Sequence, residues 1–316
     1  VDLGKKYDMV KDPAGFGNVT PDSISRGFHY YSLLIDGLPV ADPASETFYG
    51  MSRMASGIEI PDKDEGYYAL KDVPHGDIRI KRYLSKASNS WREMYVYTPP
   101  GYDKSTEKYP VLYLLHGGGE DQRGWATQGK TGLILDNLIA EGKAKPMVIA
   151  MLDGNMNMQG GLAGFNENVL RSSENELKQG AIPFVESNFR VETDAKNRAL
   201  AGLSMGGLQT LYAGIKNTNM FSSLGVFSSG WFANNPKLSD PQYAFMKDNA
   251  STINSNLQHF WISMGGKEDI AYQNCQIMMK KFDEMGVKYQ YSEYAGGHSW
   301  PVWRHDLFMF SQLLFK

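Results

Sequence analysis

The stretch Ala199-Leu200-Ala201-Gly202-Leu203-Ser204-Met205-Gly206-Gly207 runs small apolar residues straight into Gly-x-Ser-x-Gly. That is the pattern of a nucleophile elbow, a sharp strand-to-helix turn that holds a serine hydroxyl above a sheet edge. The pentapeptide alone is a common pattern, so its weight comes from its setting. Residues 198–201 read as a short buried strand, and the apolar spacing of Leu-Gln-Thr-Leu-Tyr-Ala-Gly-Ile predicts a helix over 207–216. Glycines on either side of the serine let neighbouring backbone approach where a Cβ would not fit. Ser204 is therefore the candidate nucleophile, with the positive end of the helix beginning at Met205 aimed at the reacting oxygen.

Outward from this turn, short apolar strands alternate with helices. Strands are predicted at 111–115, 147–151, 198–201, 223–227, 260–264 and 289–294, and helices at 133–141, 174–188, 207–216, 271–284 and 302–314. Alternation of this kind predicts an α/β fold, and strands that are apolar on both faces predict a mostly parallel sheet covered by helices on both sides. Two further strands are expected at 77–84 and 91–97. Residues before about 60 show strand and turn signals without a helical period: 28–35 reads as one strand, Asp36-Gly37 as a tight turn, and Val40-Ala41-Asp42-Pro43 as a stop. The polar run Pro61-Asp62-Lys63-Asp64-Glu65-Gly66 reads as a linker. The chain thus divides into a partial β-sandwich segment and linker, 1–66, too short to bury much core by itself and expected to lean on the second unit, 67–316.

Composition narrows the partners. The 316 residues carry a net charge of −3, and no long basic run is visible, which argues against nucleic acid. No run approaches the roughly 20 apolar residues of a membrane-spanning helix. The start, Val1-Asp2-Leu3-Gly4-Lys5, has neither an initiating Met nor the character of a signal peptide, so the chain reads as processed or truncated, and its expected location is secreted or periplasmic with the export signal already lost. Cys275 is the single cysteine, which excludes an internal disulfide and a cysteine-rich metal site. The 18 Tyr and 6 Trp exceed what a core of Val, Leu and Ile needs; most fill that core, and the remainder suit stacking on sugar or aromatic rings.

A serine hydroxyl needs a positioned base, and the base needs a carboxylate to fix its tautomer. In an elbow-type site the chain order is serine, acid, histidine. Of the 6 histidines, His29 and His75 come early, His116 precedes a glycine run, His259 opens a strand and His305 lies in the terminal helix. His298 alone sits in a loop after the last strand, in Ala295-Gly296-Gly297-His298-Ser299-Trp300, where the glycines let the chain curl over the sheet edge. His298 is the candidate base. Ser263-Met264-Gly265-Gly266-Lys267-Glu268-Asp269-Ile270 leaves a strand and enters a helix, so both Glu268 and Asp269 qualify as the acid. For the oxyanion, one donor should be the Met205 N–H. The other should come from Leu114-Leu115-His116-Gly117-Gly118-Gly119-Glu120-Asp121, whose His-Gly-Gly-Gly pattern marks oxyanion loops, with Gly118 as the chosen donor. The same glycine run lacks the Gly-Lys-Ser/Thr ending of a phosphate loop.

Taken together, Tyr97-Thr98-Pro99-Pro100-Gly101-Tyr102, 109–119, Leu135-Asp136-Asn137-Leu138-Ile139-Ala140, 202–207 and Gly297-His298 resemble carbohydrate esterase family one, the esterase D-like branch of the α/β-hydrolases that contains feruloyl and acetylxylan esterases. The resemblance extends over most of 70–316. It implies an α/β-hydrolase fold, Asp269 as the acid, no metal or other cofactor, and serine hydrolysis of feruloyl or acetyl esters on xylan. Gly27-Phe28-His29-Tyr30-Tyr31, with Asp36-Gly37 and Asp42-Pro43, is likewise similar to the back half of an immunoglobulin-like module of the glycogen-binding type. Its front strands are absent, so a structural or acyl-pocket-covering role is expected at least as much as glycan binding. Substrate contacts are sought after the oxyanion loop (Glu120, Asp121, Gln122, Trp125), after the strand that follows the elbow helix (Ser228, Ser229, Trp231), and beside the base (Trp300, Trp303). The feruloylated or acetylated xylan oligosaccharide is the expected partner. Acyl transfer of the mycolyltransferase kind and a vestigial glycan-binding protein are the alternatives.

Overall fold

The computed structural model describes residues 5–61, 66–156 and 165–316. It opens on small antiparallel pairs: β1 (Val10–Lys11) with β2 (Gly17–Asn18), then β3 (Gly27–Tyr31), β4 (Leu33–Ile35), β5 (Leu38–Val40), β6 (Thr47–Gly50) and β7 (Arg53–Ile60). The strand expected over 28–35 is broken at Ser32. Its first half pairs with β7 in a three-stranded sheet ordered β3-β7-β6, and its second half turns away to pair with β5. Asp36 and Gly37, at φ 50° and 82°, make the tight turn of that second hairpin. Of the expected linker, residues 62–65 lie outside the described residues.

The rest is built on β8 (Asp77–Ser85), β9 (Ser90–Thr98), β10 (Val111–Leu115), α1 (Thr131–Ala140), β11 (Val148–Leu152), α2 (Glu167–Glu176), α3 (Ile182–Asn188), β12 (Arg198–Leu203), α4 (Met205–Lys216), β13 (Ser223–Phe227), α5 (Pro236–Asn256), β14 (His259–Met264), α6 (Tyr272–Met285), β15 (Gln290–Glu293) and α7 (Trp300–Ser311). One eight-stranded sheet runs β15-β14-β13-β12-β10-β11-β9-β8. From β11 to β15 neighbouring strands are parallel, and β9 and β8 close the other edge antiparallel. Every residue of β10, β11, β12 and β13 is buried, as strands covered on both faces must be. Alternate residues feed two separate cores: Val111, Tyr113 and Leu115 join one apolar cluster, Leu112 and Leu114 the other. Each such side chain contributes about 1.5–3 kcal/mol by leaving water. The chain steps from β10 to β11 on one side and returns to β12 on the other, and at that reversal the carboxyl ends of β10 and β12 open a crevice.

Two helices differ from expectation. The helix predicted from 174 begins at Glu167, capped by Asn166, whose side chain accepts from the N–H groups of Asn168 (2.9 Å) and Val169 (3.3 Å). A wider π-type turn over Leu177–Ala181 joins α2 to α3. The 21-residue α5 was not expected at all, because Pro241 and many Asn, Ser and Asp residues dilute its apolar face to Leu238, Tyr243, Met246 and Ile253.

The N-terminal sheet is pinned to this body. Phe28 belongs to the same apolar cluster as Leu112, Trp300 and Leu307. Arg304 of α7 is wholly buried and forks onto Glu59 of β7 at 2.7 and 2.9 Å, while its Nε donates to the Gln128 carbonyl at 2.7 Å.

Candidate active site

Ser204 lies between β12 and α4 with φ 50° and ψ −111°, a strained geometry for a residue with a side chain. The turn closes only because its neighbours are glycines: a Cβ on Gly202 would sit 2.4 Å from the Gly206 carbonyl carbon, and one on Gly206 would sit 2.7 Å from the His116 carbonyl oxygen. Two hydrogen bonds hold the backbone there. The Ser204 N–H donates to the Phe227 carbonyl (2.8 Å), and the Ser229 hydroxyl donates to the Ser204 carbonyl (2.7 Å).

The loops after β14 and β15 converge on that hydroxyl. His298 Nδ1 lies 2.8 Å from Asp269 Oδ1, and Nε2 lies 2.9 Å from Ser204 Oγ. Because a carboxylate only accepts, the Nδ1–H donates to Asp269 and Nε2 is left to accept from the serine. Gly266 N–H donates to the Gly296 carbonyl at 2.6 Å, tying the acid loop to the base loop. The edge-on ring of Trp303, 5.1 Å away, fixes the imidazole plane. Burial pushes the Asp269 carboxyl up, but the hydrogen bond and charge of His298 and the Ala271 N–H (2.8 Å) outweigh it and hold the group below its ordinary value. Glu268, the other acid considered, points to solvent.

Other histidines have different work. His75 bonds Asp136 at 2.9 Å, but that carboxylate also takes the Tyr97 hydroxyl and the Gly76 N–H, and the imidazole ties a loop to α1. His305 stacks on Tyr294 at 3.8 Å, and burial lowers it to about 4. His116 accepts the Gly154 N–H at Nε2 (2.9 Å) and donates from Nδ1 to the Gly117 carbonyl (2.8 Å), which sets the start of the glycine loop.

Met205 is the first residue of α4, so its N–H has no acceptor within the helix. Gly117, Gly118 and Gly119 line the same cleft as Ser204, and a Cβ on Gly117 would approach the Ser204 Cβ to 3.5 Å. A carbonyl oxygen placed over Ser204 therefore lies between α4 and this loop.

The cleft above the triad holds about 660 Å³. Of the residues expected to touch substrate, Glu120 and Trp300 line it, as does Trp303. Trp125, Ser229 and Trp231 do not. Trp125 lies behind Trp300, edge-on at 5.3 Å, with its indole N–H on the Leu115 carbonyl (3.0 Å); Ser229 is spent on the Ser204 backbone; Trp231 is buried in the core. Nor do Asp121 and Gln122 reach the cleft, since Asp121 pairs with Arg123 and Gln122 donates to Glu93. Glu120 is buried, and its Oε1 accepts from the Tyr30 hydroxyl and the Trp300 indole, both at 2.9 Å. Desolvation dominates there and pushes its carboxyl up to about 7.

The opposite wall comes from the N-terminal segment, in keeping with the pocket-covering role considered for it, but the sequence does not single out the residues that line it. Phe28, Tyr30, Tyr49, Met51 and Ser52 of the N-terminal sheet face Ser204 across the cleft, with Asn155 and Met156 beside them. The strand expected over 28–35 supplies Phe28 and Tyr30, yet nothing local to it says which of its side chains meet a serine more than 170 residues away.

Known proteins resemble this chain in sequence and in fold. The Esterase family model matches residues 85–313, which hold all three triad residues. A xylanase/feruloyl esterase of Xylanibacter ruminicola is 35% identical over 316 residues, 98% of this chain, and the chain spans 41% of that relative's length. Among solved structures, a ferulic acid esterase from Anaeromyces mucronatus superposes with a TM-score of 0.68 at 23% identity, over 80% of this chain and 96% of that one. The feruloyl esterase module from Clostridium thermocellum does so at 0.65 and 22% identity, over 91% and 96%. The structural likenesses establish an α/β-hydrolase fold, and the match across 85–313 establishes that the chain belongs to the Esterase family.

Proposed function

We propose that the chain is a serine carboxylic ester hydrolase acting on plant cell-wall polysaccharide esters, releasing ferulate from arabinoxylan through an acyl-enzyme, outside the cytoplasm where such polymers are met. The observation that carries the reading is the continuous relay from Ser204 Oγ through His298 to Asp269, at 2.9 and 2.8 Å. The name of the Xylanibacter relative supports the choice of acyl group and polymer, and so does a cleft whose rings suit a planar aromatic acid.

In this mechanism His298 Nε2 takes the proton as Ser204 Oγ bonds to the ester carbonyl carbon. The oxyanion so formed is held by the N–H groups of Met205 and Gly118. Asp269 stays ionised and stabilises the imidazolium, which passes its proton to the departing sugar hydroxyl as the C–O bond breaks. Water then enters, gives a proton to His298 and attacks the acyl-enzyme; the proton returns to Ser204 and ferulate leaves.

The test is hydrolysis of methyl ferulate by the wild type and by Ser204→Ala, with free acid measured beside transester in the presence of dilute competing alcohol. The reading expects free acid from the wild type and near-complete loss in the variant. Unchanged hydrolysis by the variant, or transester as the main product, would overturn it.

A further inference from the structure

We infer that Met51 and Ser52, the turn between β6 and β7, form a specificity-determining part of the active site that packs on the aromatic ring of the acyl group. The inference rests on the ester-hydrolase reading and adds to it a contribution from the N-terminal sheet. Both residues line the cleft that holds Ser204. Ser52 N–H donates to the Gly119 carbonyl at 2.8 Å, and a Cβ on Gly119 would come within 3.4 Å of Met51 Cα, so the turn lies directly on the oxyanion loop.

The backbone gives the second argument. Met51 and Ser52 stand at φ 54° and 62°, consecutive left-handed residues in a two-residue hairpin turn. Asn-Gly fills such a turn with least strain, and a methionine there is a poor choice for stability. Strain held beside a reaction centre points to use by the site. A thioether offers a soft, polarisable surface to an aromatic ring, and Tyr30, Tyr49 and Trp300 continue that surface around the cleft. The direction follows from the chemistry. The leaving sugar must lie within reach of His298 to take its proton, whereas the turn is bonded to the loop that holds the carbonyl oxygen, which leaves the acyl chain as the group beside Met51.

The experiment compares kcat/KM for methyl ferulate and 4-nitrophenyl acetate in the wild type and in the double variant Met51→Asn, Ser52→Gly. Removing strain should raise the Tm, and the ferulate ester should lose about tenfold more than the acetate ester, chiefly through KM. Met51→Leu, which keeps the apolar volume, should recover most of what Met51→Ala loses, and this pair reads the same ratio should the double variant fail to fold. If methyl ferulate loses no more than the acetate ester, the inference is wrong while the esterase reading stands. A wild type that hydrolyses neither ester removes the esterase reading itself.

Discussion

The two sides of the cleft are built by opposite means. The side that carries Ser204, Asp269 and His298 grows from the carboxyl ends of parallel strands buried on both faces, and each functional side chain is fixed by short bonds to the loop beside it. The facing side is borrowed from a small antiparallel sheet and held by a few long-range links: Tyr30 to Glu120, Ser52 to Gly119, Glu59 to Arg304. One buried carboxyl serves the reacting groups and another receives the facing sheet, and their charges answer to different forces. Asp269 is held low by an imidazole, whereas Glu120, whose nearest partners are two neutral donors, is pushed up to about 7 by burial. A fold can thus keep its reacting groups on rigid local scaffolding while the surface that selects substrate hangs on separable contacts.

Substitutions on the first side should break chemistry and leave the fold intact. Ser204→Ala is expected to lower kcat on methyl ferulate by about 10⁶-fold. Asp269→Asn, which leaves His298 in the wrong tautomer, should cost about 10⁴-fold in kcat with little change in KM. Far-ultraviolet circular dichroism on both variants should match the wild type; a lost spectrum would mean that the two sides are not separable in this way.

Substitutions at the links that hold the second side should act first on stability. Arg304→Met leaves the Glu59 carboxylate and the Gln128 carbonyl without their shared donor, and should destabilise by about 3 kcal/mol in urea unfolding. Glu120→Gln keeps acceptors for Tyr30 and Trp300 but cannot ionise. In the wild type both folded and unfolded chains hold the Glu120 proton well below 4.5; as pH rises from there to about 7 the unfolded chain has released it while the folded chain still holds it, so the stability present at low pH is lost over that window. The variant should therefore gain about 3 kcal/mol on the wild type between pH 4 and pH 8. A constant difference across that range would show that Glu120 is not desolvated. Asp269, held below its ordinary value, has the opposite sign, and its contribution falls on acidification.

Legibility in the sequence follows the same division. That Ser204, His298 and the glycine loop meet at one crevice could be read because each lies at a strand end within a recognisable motif, and the chain order expected of an elbow site constrained the rest. Between Glu268 and Asp269 local pattern did not choose; only the packed loop turns one inward. Trp125, Ser229 and Trp231 were near the right motifs in sequence, yet their side chains point behind the crevice, a matter of backbone direction that spacing does not record. For the facing wall a pocket-covering role could be expected of the segment but not its contacts, since Tyr30 meets Glu120 across 90 positions and Glu59 meets Arg304 across 245.

The central claim is that Ser204 carries the acyl group between attack and release. Rapid acid quench of wild-type protein with methyl ferulate, followed by peptide mass spectrometry, measures it directly. The account predicts a feruloyl adduct on the peptide containing Ser204 that decays as free ferulate appears, whereas turnover with the adduct on another residue, or with none trapped under conditions where release is slowed, would contradict it.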